Sequence, residues 1–326
     1  MTPTMQMAST VERLDNQPGV GDGKLRVVYV AGSGHTGSTL LAMLLDAHPR
    51  IVSVGEVAVK PKIRRRGGDG DQQCSCGATI AGCPFWQRLF QRVREDGFEV
   101  GPGRWTNDYR SEQRWLRRLF AHDSAHRTVR QFQRWAADHL PLHSTKLRHT
   151  DRVNVSFMRA AMEIAGAQVF CDTTKQTMRV RRLLAIPELD MKVITLVRDV
   201  RGYAASAKRR GHSVRHAADT WLKDQELIDE ITRKLPEDRR FLLKYEELCA
   251  NVIPTLRRLY SFCGVEDFNP GDVVVSSKHH VLGNSMRLGG SIRVRLDESW
   301  RTSLTRQEQD DILAIGGQLN RAFGYG

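Results

Sequence analysis

Residues 27–49 read VVYVAGSGHTGSTLLAMLLDAHP, and the change of pattern inside this stretch decides the fold. Val27, Val28, Tyr29 and Val30 form the kind of β-branched and aromatic run that fills a buried strand, and Ile51 opens another just beyond. Gly32, Gly34 and Gly37 then interrupt the apolar pattern. From Ser38 and Thr39 onward, Leu40, Leu41, Met43, Leu44 and Leu45 repeat with helical spacing. A strand, a glycine turn and a helix N-terminus make an anion site. The turn exposes consecutive backbone N–H groups, and the helix dipole adds partial positive charge at the same point. The stretch therefore predicts an α/β protein whose first loop holds an anion, read here as a phosphate.

Two familiar templates fit the loop, each incompletely. Gly32-x-Gly34-x-x-Gly37 satisfies the dinucleotide fingerprint, with Glu56 at about the expected distance for an acidic ribose contact. Gly32 and Gly37 also have the spacing of a nucleotide-triphosphate loop, but Ser38 stands where that loop carries its phosphate-binding lysine. An ATPase or kinase is disfavoured on that ground. A tight turn with no ligand is the bland reading.

The continuation points elsewhere. His35-Thr36-Gly37-Ser38-Thr39-Leu40-Leu41, then Asp46-Ala47-His48-Pro49, then Gly55-Glu56, resembles the loop, D-x-H-P and G-E elements of sulfotransferases. These enzymes use 3′-phosphoadenosine-5′-phosphosulfate (PAPS), and the likeness is to the bacterial and tyrosylprotein-type group. The resemblance implies a P-loop NTPase-like parallel sheet flanked by helices, with a helical insertion. It also implies that Gly34, His35, Thr36, Gly37, Ser38 and Thr39 hold the 5′-phosphosulfate, and that Glu56 takes the proton of the acceptor hydroxyl. His35 departs from the family, which usually has arginine or lysine there; an imidazole is only partly charged near neutral pH. A solvated surface carboxylate is the alternative for Glu56.

Length and composition bound the rest. A chain of 326 residues with 40% hydrophobic content is enough for one large domain with an insertion. The division expected is a flexible lead-in over 1–23 and a single domain over 24–326, with an insertion at about 60–166. The 50 Lys+Arg against 37 Asp+Glu give a net charge of +13, which favours anionic partners. No run approaches ~18 apolar residues, so no membrane span is read. Met1 to Gly23 lacks the basic and apolar regions of a secretory signal, so a cytoplasmic location is expected. No nucleic-acid motif is present.

Along the chain, strands are expected at Arg26–Ala31, Ile51–Val54, Gln168–Cys171, Lys192–Val197 and around Phe241–Lys244, and a long helix at Val214–Lys234. A basic cluster (Lys60, Lys62, Arg64, Arg65, Arg66) precedes Cys74-Ser75-Cys76-Gly77 and Cys83-Pro84-Phe85-Trp86. Three close cysteines fall short of a closed four-ligand zinc site, and CxC matches such sites less well than CxxC. No metal is assigned; a structural loop near the acceptor entrance is the reading. Between Trp86 and Gly166 the pattern is helical, with apolar faces at Trp115, Leu116, Leu119 and Phe120, and at Phe132, Trp135 and Leu140. This insertion is either ordinary helix packing or an acceptor-binding cap.

Three further segments carry the resemblance. Asp172-Thr173-Thr174-Lys175 matches a strand-end element whose basic residue approaches the transferring group, which makes Lys175 the candidate for opposing leaving-group charge. Arg198-Asp199-Val200-Arg201 running to Ser206 is similar to the signature R-D-P-R-x-x-x-x-S that clamps a 3′-phosphate, with Val200 in the place of proline. Arg198 offers a guanidinium fork and Ser206 a hydroxyl. Gly283-Asn284-Ser285-Met286-Arg287 and Leu296-Asp297-Glu298-Ser299-Trp300 resemble C-terminal elements that put Asn284 and Arg287 at the donor or transfer site; a flexible basic loop is the alternative.

The expected activity is in-line transfer of a sulfonate from PAPS to a hydroxyl, or an amine, releasing 3′,5′-adenosine bisphosphate (PAP). Glu56 serves as base, Lys175 and a protonated His35 oppose the leaving charge, and no metal is required. The acceptor is open: a glycan, a lipid, a small molecule or a peptide tyrosine. A P-loop kinase or NTPase, and a non-catalytic nucleotide or polyanion binder, are the alternatives.

Overall fold

The computed structural model describes residues 23–57, 73–102, 107–109, 128–129, 131–132, 135, 141–270, 274–275, 278–289 and 292–326. The lead-in over 1–22, the basic cluster at Lys60–Arg66 and the apolar face at Trp115–Phe120 lie outside them, as does Leu140.

Alternation along one strand builds the layers. In β1 (Leu25–Ala31), Val27, Tyr29 and Ala31 point into one apolar cluster, where they meet residues of α2 (Pro84–Glu95), α3 (Pro141–Ala165) and α4 (Thr177–Leu184). Val28 and Val30 point to the other face, against α1 (Ser38–Asp46), α7 (Tyr245–Ala250) and α8 (Val252–Cys263). A strand buried on both faces reads as a continuous apolar run, which is why Val27 to Val30 shows no polar alternation.

Five parallel strands form the sheet in the order β2-β3-β1-β4-β5, with β2 at Ile51–Ser53, β3 at Val169–Asp172, β4 at Leu189–Val197 and β5 at Arg240–Lys244. β1 sits in the centre, with Tyr29 opposite Asp172 on one side and Ala31 opposite Thr195 on the other. Helices α5 (Val200–Lys208), α6 (Val214–Thr232), α9 (Trp300–Ser303) and α10 (Arg306–Ala322) pack into a third cluster around Trp221 and Trp300. A short antiparallel pair, β6 (Val274–Val275) with β7 (Ile292–Arg293), stands apart. The α/β parallel architecture is as the sequence predicts. β4 begins three residues earlier than its β-branched core because the pairing with β1 starts at Leu189 opposite Leu25. Phe132 and Trp135, expected on an apolar face, are exposed. Among the described residues no helix is long and apolar enough to cross a membrane.

Two glycines set the path from β1 into α1. A Cβ on Gly32 would stand 2.7 Å from the Leu196 carbonyl oxygen, a backbone atom of β4 that cannot yield. Gly37 has φ +92° and a Cβ there would stand 2.6 Å from the Tyr245 ring. The first is close backbone approach, the second a left-handed turn.

A fully buried ion pair holds the end of β3. Asp172 accepts from the Thr174 backbone N–H through Oδ1 (2.8 Å) and from Arg179 Nε through Oδ2 (2.7 Å), with both side chains at 0% exposure. Arg179 Nη1 also donates to the Asn107 carbonyl (3.0 Å). Breaking such a pair strands a charge in the core, so Arg179→Met is expected to destabilise by about 3–5 kcal/mol. Adding Asp172→Asn should recover part of that loss. Urea unfolding of the wild type, the single variant and the double variant checks both; equal stability of wild type and Arg179→Met would refute it.

Candidate active site

Helix α1 begins without a side-chain cap: Gly37 holds the N-cap position, and among the described residues no side-chain cap hydrogen bond is made there. Its N-terminal amide groups face the cavity beyond the sheet, where an anion is their natural partner. Thr36 is used otherwise. Its buried hydroxyl donates to the Ser33 carbonyl (2.8 Å) and closes the turn from inside. Gln225 of α6 reaches up to Ser33 Oγ (3.3 Å) and supports the loop from below. A Cβ on Gly34 would meet nothing within 4 Å, so that position opens into free space. His35 adopts φ +62°, the left-handed region that a non-glycine residue seldom enters.

Three strand ends deliver the charged groups. Glu56 follows β2 and Lys175 follows β3, and the two form an ion pair, each largely buried. The Thr174 hydroxyl accepts from the Val57 N–H (2.9 Å), which fixes the two strand ends side by side. Arg198 follows β4. Its guanidinium donates to the His35 carbonyl (3.2 Å), to the Asp297 carbonyl (2.8 Å) and to Asp297 Oδ2 (3.1 Å), and lies 4.4 Å over the Tyr245 ring. Arg198 Nε is buried with no hydrogen-bond partner among the described residues. Beneath it, a Cβ on Gly202 would stand 2.9 Å from Nε, so the guanidinium rests directly on the helix backbone.

These groups line a cavity of about 780 Å³. Gly34, His35, Gly37, Ser38, Thr39, Glu56, Lys175, Arg198, Ser206 and Asn284 all face it, although they come from five separated segments of the chain. Asn284 is placed there by its backbone N–H, which donates to Thr39 Oγ1 (3.2 Å) at the start of α1. Thr36 and Arg287 are not brought to the lining. Arg287 is buried and donates to the carbonyls of Gln73 (2.8 Å) and His280 (3.0 Å), binding two loops together below the cavity rim.

Among the described residues, six cationic side chains line the cavity against three carboxylates. Arg209 and Arg210 beyond Ser206, Arg293 at the end of β7 and Arg295 after it join Lys175 and Arg198. Asp297 bridges Arg198 and Arg209, with Oδ2 3.0 Å from Arg209 Nη2. Burial alone would raise the Asp297 carboxyl, but hydrogen bonds from Ser299 and Arg198 and the Arg198 charge hold it well below the usual carboxylate range. The same cations act on His35. Burial first, then Arg210, Lys175, His212 and Arg198, push its imidazole down to about 4, so it is neutral at pH 7 in the ligand-free cavity.

Sequence reasoning assigned no place at the site to Tyr245, which makes the cation–π contact with Arg198, or to Arg209, Arg210 and Asp297. Tyr245 carries only a strand-end signal, and the arginines of an exposed helix end look like any solvated face.

Residues 28–270 match the model of a family described as the sulfotransferase family. Among solved structures, the sulfotransferase domain of the olefin synthase of Synechococcus PCC 7002 superposes with a TM-score of 0.55 at 18% identity, covering 95% of this chain and 98% of that one. A sulfotransferase domain from the curacin biosynthetic pathway gives 0.49 at 16% identity, covering 93% and 98%. The sulfotransferase STF9 of Mycobacterium avium gives 0.43 at 13%, covering 93% and 78%. Comparison with curated proteins finds no match.

The contact beneath Arg198 is open to test. Gly202→Ala improves helix propensity by about 1 kcal/mol yet forces the guanidinium from its seat. The variant should fold with undiminished melting temperature while binding of a phosphate-bearing probe in the cavity weakens roughly tenfold, the loss of one charge-assisted hydrogen bond. Calorimetric titration beside thermal unfolding measures the two; unchanged affinity would show that the seat is irrelevant.

Proposed function

The chain belongs to the sulfotransferase family, and we propose that it transfers a sulfonate group from PAPS to a hydroxyl of an acceptor. One observation carries the reading: an uncapped helix N-terminus, the Arg198 guanidinium and an excess of cations over carboxylates converge on one cavity that also contains Glu56. A ligand with two separated anionic ends fits that donor set. PAPS supplies an activated sulfonate on a phosphate, together with a 3′-phosphate.

The backbone amides at Gly34 and at Gly37 to Thr39 hold the 5′ end. Arg198 and Ser206 hold the 3′-phosphate, with Arg209 beside them. Asp297 now shares Arg198 and Arg209, so an arriving phosphate competes with it for both guanidinium groups. Glu56 accepts the acceptor's proton, and Lys175, its partner in the ligand-free state, turns its charge toward the leaving oxygen. Catalysis on this plan is positioning and charge stabilisation. Hydroxyl-bearing glycans, lipids, small molecules and peptide tyrosines are the acceptor classes open to Glu56.

The first test is calorimetric titration with PAP and, in parallel, with ATP and magnesium. PAP should bind, and Arg198→Ala should weaken it roughly 100-fold through loss of charge-assisted hydrogen bonds. Binding of ATP in place of PAP would return the loop to a kinase or NTPase role. PAP binding without sulfonate transfer to any acceptor class would make the protein a binder. Glu56→Gln should leave PAP affinity within about threefold and cut turnover by about 10²–10⁴, the usual share of a general base.

His35 links binding to pH. Its folded value lies below the ordinary 6.5, so its stability contribution is present above pH 6.5 and lost as pH falls through about 4. A bound polyanion opposes the surrounding cations and favours the imidazolium, so PAP binding should take up a proton and the His35 contribution should tighten binding as pH falls from neutral toward about 4. His35→Asn, which tolerates the left-handed backbone, should flatten that dependence. An unchanged pH profile in the variant would remove His35 from the donor site.

A further inference from the structure

The three cysteines left over from the sequence have a fourth companion in the fold. His279, 196 residues beyond Cys83, brings its Nδ1 to 3.4 Å from Cys83 Sγ and 3.9 Å from Cys74 Sγ. Cys76 Sγ stands 3.6 Å from Cys83 Sγ, and all four ligand atoms lie within 4.8 Å of one another. A tetrahedral ion with bonds of about 2.3 Å to sulfur and about 2.0–2.1 Å to nitrogen has S···S edges near ~3.8 Å and S···N edges near ~3.6 Å. The observed separations straddle those values. They exclude a disulfide, whose sulfurs sit at about 2.05 Å, and all three cysteines are free thiols.

The backbone is shaped for this cluster. Cys74 and Cys76 occupy a tight knuckle closed by the Cys74 N–H to the Ala78 carbonyl (2.8 Å) and the Gly77 N–H to the Cys74 carbonyl (3.0 Å), with Gly77 at φ +94°. Cys83 is the N-cap residue of α2, immediately before Pro84. The His279 segment is pinned to the knuckle by the Ser75 N–H to the His280 carbonyl (3.0 Å) and the His280 N–H to Ser75 Oγ (2.8 Å). The Phe85 ring stacks on the imidazole at 4.5 Å with planes 4° apart, and Trp86 Nε1 donates to the His279 carbonyl (3.1 Å). The ring is therefore held with Nδ1 toward the sulfurs before any ion arrives. Cys74 and Cys83 are buried, and Cys76 is exposed and offers the way in.

We propose that Cys74, Cys76, Cys83 and His279 form a structural zinc site that clamps the cysteine knuckle to the 278–289 segment. Three sulfurs and one imidazole nitrogen select zinc over magnesium or calcium, which take oxygen ligands. Four protein ligands close the coordination sphere, the mark of a structural rather than a catalytic ion. Binding releases the thiol protons to solvent. The clamp acts where Arg287 already joins Gln73 to His280. The site is independent of the donor cavity and does not rest on the proposed reaction.

The test is metal content of the full chain purified under reducing conditions with zinc, read by plasma mass spectrometry. One zinc per chain is expected, and cobalt added to the chelated protein should give the intense visible bands of a tetrahedral thiolate site. Cys83→Ser and His279→Gln should each weaken zinc binding by roughly 100-fold or more, because even outer partners of a metal site are worth about 10–100-fold. Cys249→Ser, outside the cluster, should retain one equivalent. Chelation should speed amide hydrogen exchange in residues 73–83 and 278–289 of the wild type, a readout available even where a variant folds poorly. Substoichiometric zinc with octahedral cobalt spectra overturns the site. A Cys76–Cys83 disulfide in freshly isolated reduced-buffer protein, seen as a two-hydrogen mass loss, does so as well.

Discussion

Parallel pairing delivers the C-terminal end of every strand to the same edge of the sheet, and the site depends on this constraint before any side chain is considered. Tyr29 lies opposite Asp172 and Ala31 opposite Thr195, so the residues after β1, β3 and β4 emerge together. β1 is central; the chain leaves it toward the β2 edge of the sheet, whereas it leaves the neighbouring β4 toward the β5 edge. A crevice opens at such a switch point. Gly32 can pass beneath it only because nothing stands between its Cα and the Leu196 carbonyl. Gly37 turns left-handed against Tyr245, the same ring that carries Arg198. Loop, aromatic ring and guanidinium are thus one packed unit.

Charge is managed in the ligand-free protein by internal counterions. Glu56 neutralises Lys175, and Asp297 neutralises Arg198 and Arg209. Each pair sits at the rim of a low-dielectric core, where an unpartnered cation is costly. His35 completes the balance by giving up its proton, because burial and four nearby cationic or titratable groups make the imidazolium unfavourable. The arrangement resists further positive charge and accepts negative charge.

Much of this was written locally. The strand–turn–helix of residues 27–46 rests on neighbouring residues, and backbone periodicity reads such a unit without knowledge of the rest. Glu56, Lys175 and Arg198 were legible because each closes a strand, and strand ends converge in a parallel sheet. Thr36 and Arg287 resembled site residues by position in a motif, yet the fold spends their hydrogen-bonding groups on Ser33 and on the carbonyls of Gln73 and His280. A motif records spacing, whereas the direction of a side chain follows from what packs against it. The protonated His35 expected from its place in the loop met the same limit, since its charge state is set by residues as distant in sequence as Arg198, Arg210 and His212.

The sequence by itself determined the α/β class, the anion loop and the family, because those follow from periodicity, glycine placement and short-range order. Tertiary structure alone decided which cations surround the loop, which carboxylates hold them, and that His279 meets three cysteines about two hundred residues away. The reason is physical. Local patterns act through backbone propensity over a few residues, while electrostatic neighbours and metal-ligand sets are defined by distances of a few ångströms in space, to which separation along the chain is no guide.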